Sequence, residues 1–101
     1  MLTSKQRAGL RGIASKLDTT LHIGKGGITD TVIQQLEESL MVHEIVKGKV
    51  LENAPISLRE ACDALSIACK AEQVQVIGSK FVLYRGNPKI AKDKRIQLVK
   101  D

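Results

Sequence analysis

Residues 21–52 read LHIGKGGITDTVIQQLEESLMVHEIVKGKVLE, and the pattern changes twice within them. A short β-prone piece, "TLHI" at 20–23, runs directly into Gly24 and the glycine-rich GKGG. Helix signals then begin at Thr29 or Asp30, both competent N-caps. Val32, Ile33, Leu36 and Leu40 follow on one helical face, with Gln34, Gln35, Glu37 and Glu38 mostly on the other. From His43 the period shortens, and "HEIVKGKVLE" reads as a strand in which Lys47 and Lys49 alternate with apolar positions. Gly48 falls mid-strand, where glycine weakens pairing or marks a bulge. About 20 residues separate the two strands, which suits a right-handed crossover between parallel neighbours. Residues 21–51 are therefore a βαβ unit.

Upstream, "LTSKQRAGLRGIASKLD" places Leu10, Ile13, Ala14 and Leu17 on one helical face. Thr3 or Ser4 can cap this helix, and Thr3 with Gln6 has capping-box spacing. Lys5, Arg7, Arg11 and Lys16 project from the arc that remains. Such an arc is either a solvated face or a nucleic-acid contact. Downstream, "PISLRE" announces a third helix through the Ser57 and Glu60 spacing, with a buried stripe of Leu58, Ala61, Cys62, Leu65, Ala68 and Cys69. "EQVQVIGSKFVLYRG" then makes two β-rich runs around Gly78 and Ser79, as a type II′ hairpin requires. The fold class is thus α/β, a single domain of order α-β-α-β-α-β-β whose sheet mixes the parallel pair with the hairpin. Residues 1–90 form the domain, and 91–101 form a basic tail that is either an edge strand or mobile.

The chain has 101 residues, which suits one domain with one modest core, and its hydrophobic fraction is 43%. Its only aromatics are Phe81 and Tyr84, so the core is aliphatic and platforms for stacking bases are scarce. Tyr84 can either stack on a base or pack on the sheet. Net charge is +5, distributed as +4 over residues 1–25, −3 over 26–84 and +4 over 85–101. A fold that brings the two ends together makes a single basic face and favours an acidic partner.

Cys62 and Cys69 lie about 10 Å apart along a helix, too far for a disulfide, and are expected to be reduced core residues. No apolar run approaches the length of a membrane span, and no secretory h-region is visible, so a cytoplasmic location is expected. The first helix lacks the Trp or Phe of a membrane-surface helix.

The loop joins a strand end to a helix start, where backbone amides and the helix dipole favour an anion. A Walker loop needs four residues before a Gly-Lys-Ser/Thr triplet, and the dinucleotide fingerprint needs a third glycine where Thr29 stands, so both fail. Gly24 to Gly27 does match G-x-x-G, the loop with which KH domains grip a nucleic-acid backbone. A tight structural turn uses glycine for the same steric reason, and the four residues alone leave both readings open.

Catalytic chemistry finds little support. His22 and His43 lack Cys or carboxylate partners at ligand spacing, and the adjacent Glu37 and Glu38 point to different sides of a helix. No enzyme activity, metal, cofactor or small-molecule substrate is expected.

"LTSKQRAGLRGIASKL", "GKGGIT", "HEIVKGKV" and "VQVIGSKFVLYRGNPK" occur in an order and spacing that resembles the CRM domain, the chloroplast RNA splicing and ribosome maturation family, in its stand-alone bacterial YhbY-like form. The likeness covers about residues 2–90, and the hairpin ending in Tyr84 and Arg85 is its most specific part. It implies a fold like the C-terminal domain of translation initiation factor three, an RNA-binding loop, and association with precursors of the large ribosomal subunit. The RNA-binding positions it implies are Gly24, Lys25, Gly26 and Gly27 in the loop, Lys5, Arg7, Arg11 and Lys16 around the first helix, and Arg85 and Lys89 after the hairpin.

The expected function is therefore non-enzymatic RNA binding, directed at the backbone of structured ribosomal RNA in ribosome assembly, by a monomer. Two alternatives stand beside it. One is a protein-binding adaptor whose acidic middle, around Glu37 and Glu38, docks a ribosomal protein or assembly factor. The other is duplex DNA binding, for which the first helix offers no base-reading Asn or Gln besides Gln6.

Overall fold

A computed structural model describes residues 2–87. Its elements are α1 (Ser4–Ala14), β1 (Leu21–Ile23), α2 (Asp30–His43), β2 (Ile45–Val50), α3 (Leu58–Ala68), β3 (Glu72–Ile77) and β4 (Lys80–Tyr84), in the expected order. The basic tail and Lys89 lie outside the described residues.

Local chemistry sets the helix starts. Thr3 Oγ1 accepts the Gln6 amide and the Gln6 side chain accepts the Thr3 amide, both at 3.1 Å, closing the expected box on α1. Ser57 and Glu60 do the same for α3. Thr29, not Asp30, caps α2, so Asp30 sits in the first turn. α1 ends at Ala14, four residues short of its sequence pattern. Lys47 Nζ takes the carbonyls of Ala14 and Leu17 at 3.2 and 3.4 Å, giving the helix end a cationic cap from the sheet below. Leu10 and Ala14 are buried, whereas Ile13 turns outward and Leu17 packs from beyond the helix.

The sheet order is β1-β2-β4-β3, with β1 and β2 parallel and the other two pairs antiparallel. Central β4 is buried on both faces. Phe81 and Leu83 enter the larger core under α2 and α3, and Val82 and Tyr84 enter a smaller core under α1. One helix therefore covers one face and two cover the other.

Gly48 pairs in register with Phe81, and a Cβ placed on it would lie 2.8 Å from both Cε atoms of the ring. The glycine makes room for the chain's sole Phe instead of marking a bulge. The register break occurs in edge strand β3, between Gln73 and Gln75. Gly78 has φ 61, the value that the first central position of a type II′ turn demands. Glu44, at the C-cap of α2, takes φ 65 although it is not glycine. Its carboxylate accepts the Asn87 amide at 2.8 Å and so holds the segment leaving β4.

Candidate nucleic-acid interface

Gly24 to Gly27 form a turn closed by a bond from the Gly27 amide to the Gly24 carbonyl at 2.9 Å. The Leu51 amide donates to the Ile23 carbonyl at 2.8 Å and fixes the end of β1 from which the turn projects. The three glycines are not equivalent. Gly27 has φ 66, and a Cβ there would meet Pro55 Cγ at 3.1 Å, so both its backbone and its surroundings demand glycine. At Gly24 and Gly26 a Cβ would make ordinary contacts of 3.5 and 3.6 Å.

Lys25 and Gly26 are exposed at the tip. The Gly27 amide is occupied within the turn, and Lys25 is the exposed cation at its tip. The helix start contributes less than its position suggests. Thr29 Oγ1 takes the Val32 amide at 3.2 Å, and Asp30 already places a negative charge at the positive end of α2. Attraction for an anion here comes chiefly from Lys25 and the turn.

The remaining cations divide by location. Lys5 and Arg11 are exposed on α1, and Lys16 is exposed just beyond it. Arg7 is half-buried, its Nε donating to the Gln73 carbonyl at 3.1 Å beside the bulge of β3. Gln73 is level with Leu83 and Val46, four residues back along β2 from Val50, so Arg7 sits about 13 Å from the loop end of the sheet.

Arg85 points toward the opposite face. Its guanidinium donates to Glu37 Oε2 and to the Cys69 carbonyl, each at 2.8 Å, tying the end of β4 to α2 and α3. Arg85, the one basic residue of 85–101 among the described residues, therefore lies on a different face from α1, and the rest of that basic stretch lies outside the described residues. The helix takes one side of the sheet and Arg85 the other, because β4 is central and its exit is clamped by the larger helical layer.

The acidic middle is partly engaged in the fold. Glu37 is paired with Arg85, and Glu38 accepts from Gln34 Nε2 at 3.3 Å. The bond from Arg85 holds the Glu37 carboxyl below its ordinary value of 4.5. A depressed folded-state value gives stability that is present above 4.5 and is lost as pH falls through the folded value. Glu37→Gln is expected to lower the melting temperature at pH 7 and to make progressively less difference as pH falls below 4.5, as thermal melts of both proteins across that range would reveal. A gap independent of pH would remove this pair from the acid response.

Both aromatic side chains are interior: Phe81 is fully buried, and Tyr84 packs under α1. Stacking on Tyr84 thus gives way to packing, and the described residues offer no Phe or Tyr surface to a base. Cys62 and Cys69 are free and buried. Burial pushes the Cys62 thiol up to about 11, and burial with the nearby Glu37 charge raises Cys69, so neither is a reactive thiolate at neutral pH. Among the described residues, no group of three or more His, Cys, Asp or Glu could hold a metal ion, and no helix is long and apolar enough to cross a membrane.

The described site is a glycine turn with an exposed lysine, on a mixed α/β domain whose first helix carries exposed basic residues. The chain belongs to the CRS1 / YhbY (CRM) domain family, which matches residues 2–85. It is 38% identical over 85 residues to a Bacillus subtilis protein named as a probable RNA-binding protein, YqeI, covering 84% of this chain and 88% of that one. A Haemophilus influenzae protein named RNA-binding protein is 36% identical over 84 residues, 83% of this chain and 85% of that one. The solution structure of SAV1595 from Staphylococcus aureus, itself proposed to bind RNA, superposes with a TM-score of 0.78 at 39% identity, covering 98% and 100% of the two chains. These relatives are named for RNA binding and not for an enzymatic reaction.

Proposed function

We propose that this protein is an RNA-binding module that grips the sugar–phosphate backbone through the Gly24–Gly27 turn, assisted by Lys5, Arg7, Arg11 and Lys16, and that it acts as a monomer on large-subunit ribosomal RNA during ribosome assembly in the cytoplasm. The observation that carries the reading is the turn itself. A structurally required glycine at 27 shapes a tight turn with Lys25 exposed at its tip, in a family domain whose relatives are named for RNA binding.

The absence of exposed Phe or Tyr among the described residues favours backbone and shape over base readout. Lys and Arg supply long-range attraction, and the turn supplies close approach. Arg85 supports the fold through Glu37, so its contribution to RNA is indirect in this reading.

Lys25→Glu tests the proposal. The exposed substitution is expected to leave the melting temperature within a degree or two and to weaken binding to a ribosomal RNA fragment roughly tenfold, by losing one phosphate contact and adding repulsion. Mobility-shift titrations would measure it. Equal affinity of the folded variant and the wild type would remove the loop from the interface.

A further inference from the structure

Outside the turn and helix, the face of the sheet that packs α1 is only partly covered. Ile45, Lys47 and Lys49 of β2 point to that face, as do Lys80, Val82 and Tyr84 of β4. α1 covers the rows at one end, where Leu10 and Ala14 pack with Ile45, Val74, Val82 and Tyr84, and where Lys47 bonds the helix end. The next row lies beyond the helix. It runs across all four strands as His22, Lys49, Lys80 and Ile77, each opposite its neighbour in the register. His22, Lys80 and Ile77 are exposed, and Lys49 is half-buried.

Folding gives no reason for this row. Lys49 and Lys80 stand directly opposite on adjacent antiparallel strands, an arrangement that destabilises a sheet. Neither forms an ion pair among the described residues. Ile77, 63% exposed, leaves an apolar side chain in water at the end of the same row. An anion lying along the row would convert the lysine repulsion into attraction and would cover the isoleucine. The row is also continuous with the turn, since His22 precedes Gly24 by two residues on β1. With strands about 4.8 Å apart, it extends about 14 Å from the β1 edge, where the turn projects.

We propose that His22, Lys49 and Lys80 form a phosphate track, on which an RNA backbone leaving the Gly24–Gly27 turn crosses the open sheet face perpendicular to the strands. Lys49 and Lys80 contact successive phosphates, His22 stands at the entry, and Ile77 packs against sugar at the far edge. The track rests on the RNA-binding reading above and adds residues that the linear sequence does not group, because they meet through sheet register alone.

The test uses the full chain, a fluorescein-labelled RNA stem-loop of mixed sequence, and affinities measured over a range of KCl concentrations. Lys49→Gln with Lys80→Gln should weaken binding at least roughly tenfold and make the plot of log affinity against log salt shallower by about 1.5, for two lost phosphate contacts. Its melting temperature should equal or exceed that of the wild type, because two opposed ammonium groups are gone. Lys49→Arg with Lys80→Arg should restore the wild-type slope. A Gln pair with wild-type affinity and slope, while Lys25→Glu still weakens binding, overturns the track and leaves the loop reading intact. A wild-type protein with no salt-dependent affinity for the stem-loop removes the RNA-binding reading, and the track with it.

Discussion

Gly48→Ala is expected to destabilise the protein by about 3 kcal/mol, the upper end of the usual cost of overpacking a core. The added methyl would be driven into the ring of Phe81, with Cε1 and Cε2 each 2.8 Å away. The ring cannot easily retreat, because Phe81 is fully buried on the central strand among side chains from α2 and α3. A domain of this size has roughly 5–15 kcal/mol of total stability, so the loss is a large share of it. Urea unfolding of the two proteins measures it. Phe81→Leu alone creates a cavity, but combined with Gly48→Ala it gives the methyl a place. The double variant should be less destabilised than the sum of the singles. Additive losses would mean that the two positions do not compete for the same space.

Gly27→Ala is the second large effect, and it joins the fold to the site. An L-residue at φ 66 costs roughly 1–2 kcal/mol, and the contact with Pro55 Cγ at 3.1 Å adds to that. The strained turn should rebuild and move Lys25 and its amides, so RNA affinity should fall with stability. Gly26→Ala provides the contrast. Its Cβ has an ordinary 3.6 Å contact with Thr29 and its φ is not positive, so stability should change by less than about 0.5 kcal/mol. Equilibrium unfolding and RNA titration of both variants check the pair, and equal effects at 26 and 27 would contradict the assigned turn.

These contrasts show which parts of the protein were legible in the sequence. Element order followed from period changes and turn residues, and both capping boxes were visible as spacings because their partners lie three residues apart. The parallel β1–β2 pair followed from the length of the connection. Features created by contacts distant in sequence were hidden. The apolar period of α1 runs on to Leu17 although the helix stops at Ala14, and the Lys47 ammonium that bonds both carbonyls comes from a distant strand. Gly48 looked like a flaw in a strand until register placed Phe81 across from it.

The candidate site shows the same division. GKGG was readable as a loop, yet sequence could not rank its glycines, since the demand at Gly27 comes partly from Pro55. The family resemblance implies Arg85 as an RNA contact, while its ion pair with Glu37 ties it to the helical layer. His22, Lys49 and Lys80 were never adjacent in any linear window. The parallel β1–β2 pair and the antiparallel β2–β4 pair together put them in one row.

A backbone grip at the Gly24–Gly27 turn is tested most directly by the salt dependence of RNA affinity in the wild type and Lys25→Glu. If the turn grips a phosphate through Lys25, the variant's plot of log affinity against log salt will be shallower by about 0.7–0.9, one contact's worth, with the fold unchanged. Parallel lines for the two proteins would contradict a backbone grip at this loop.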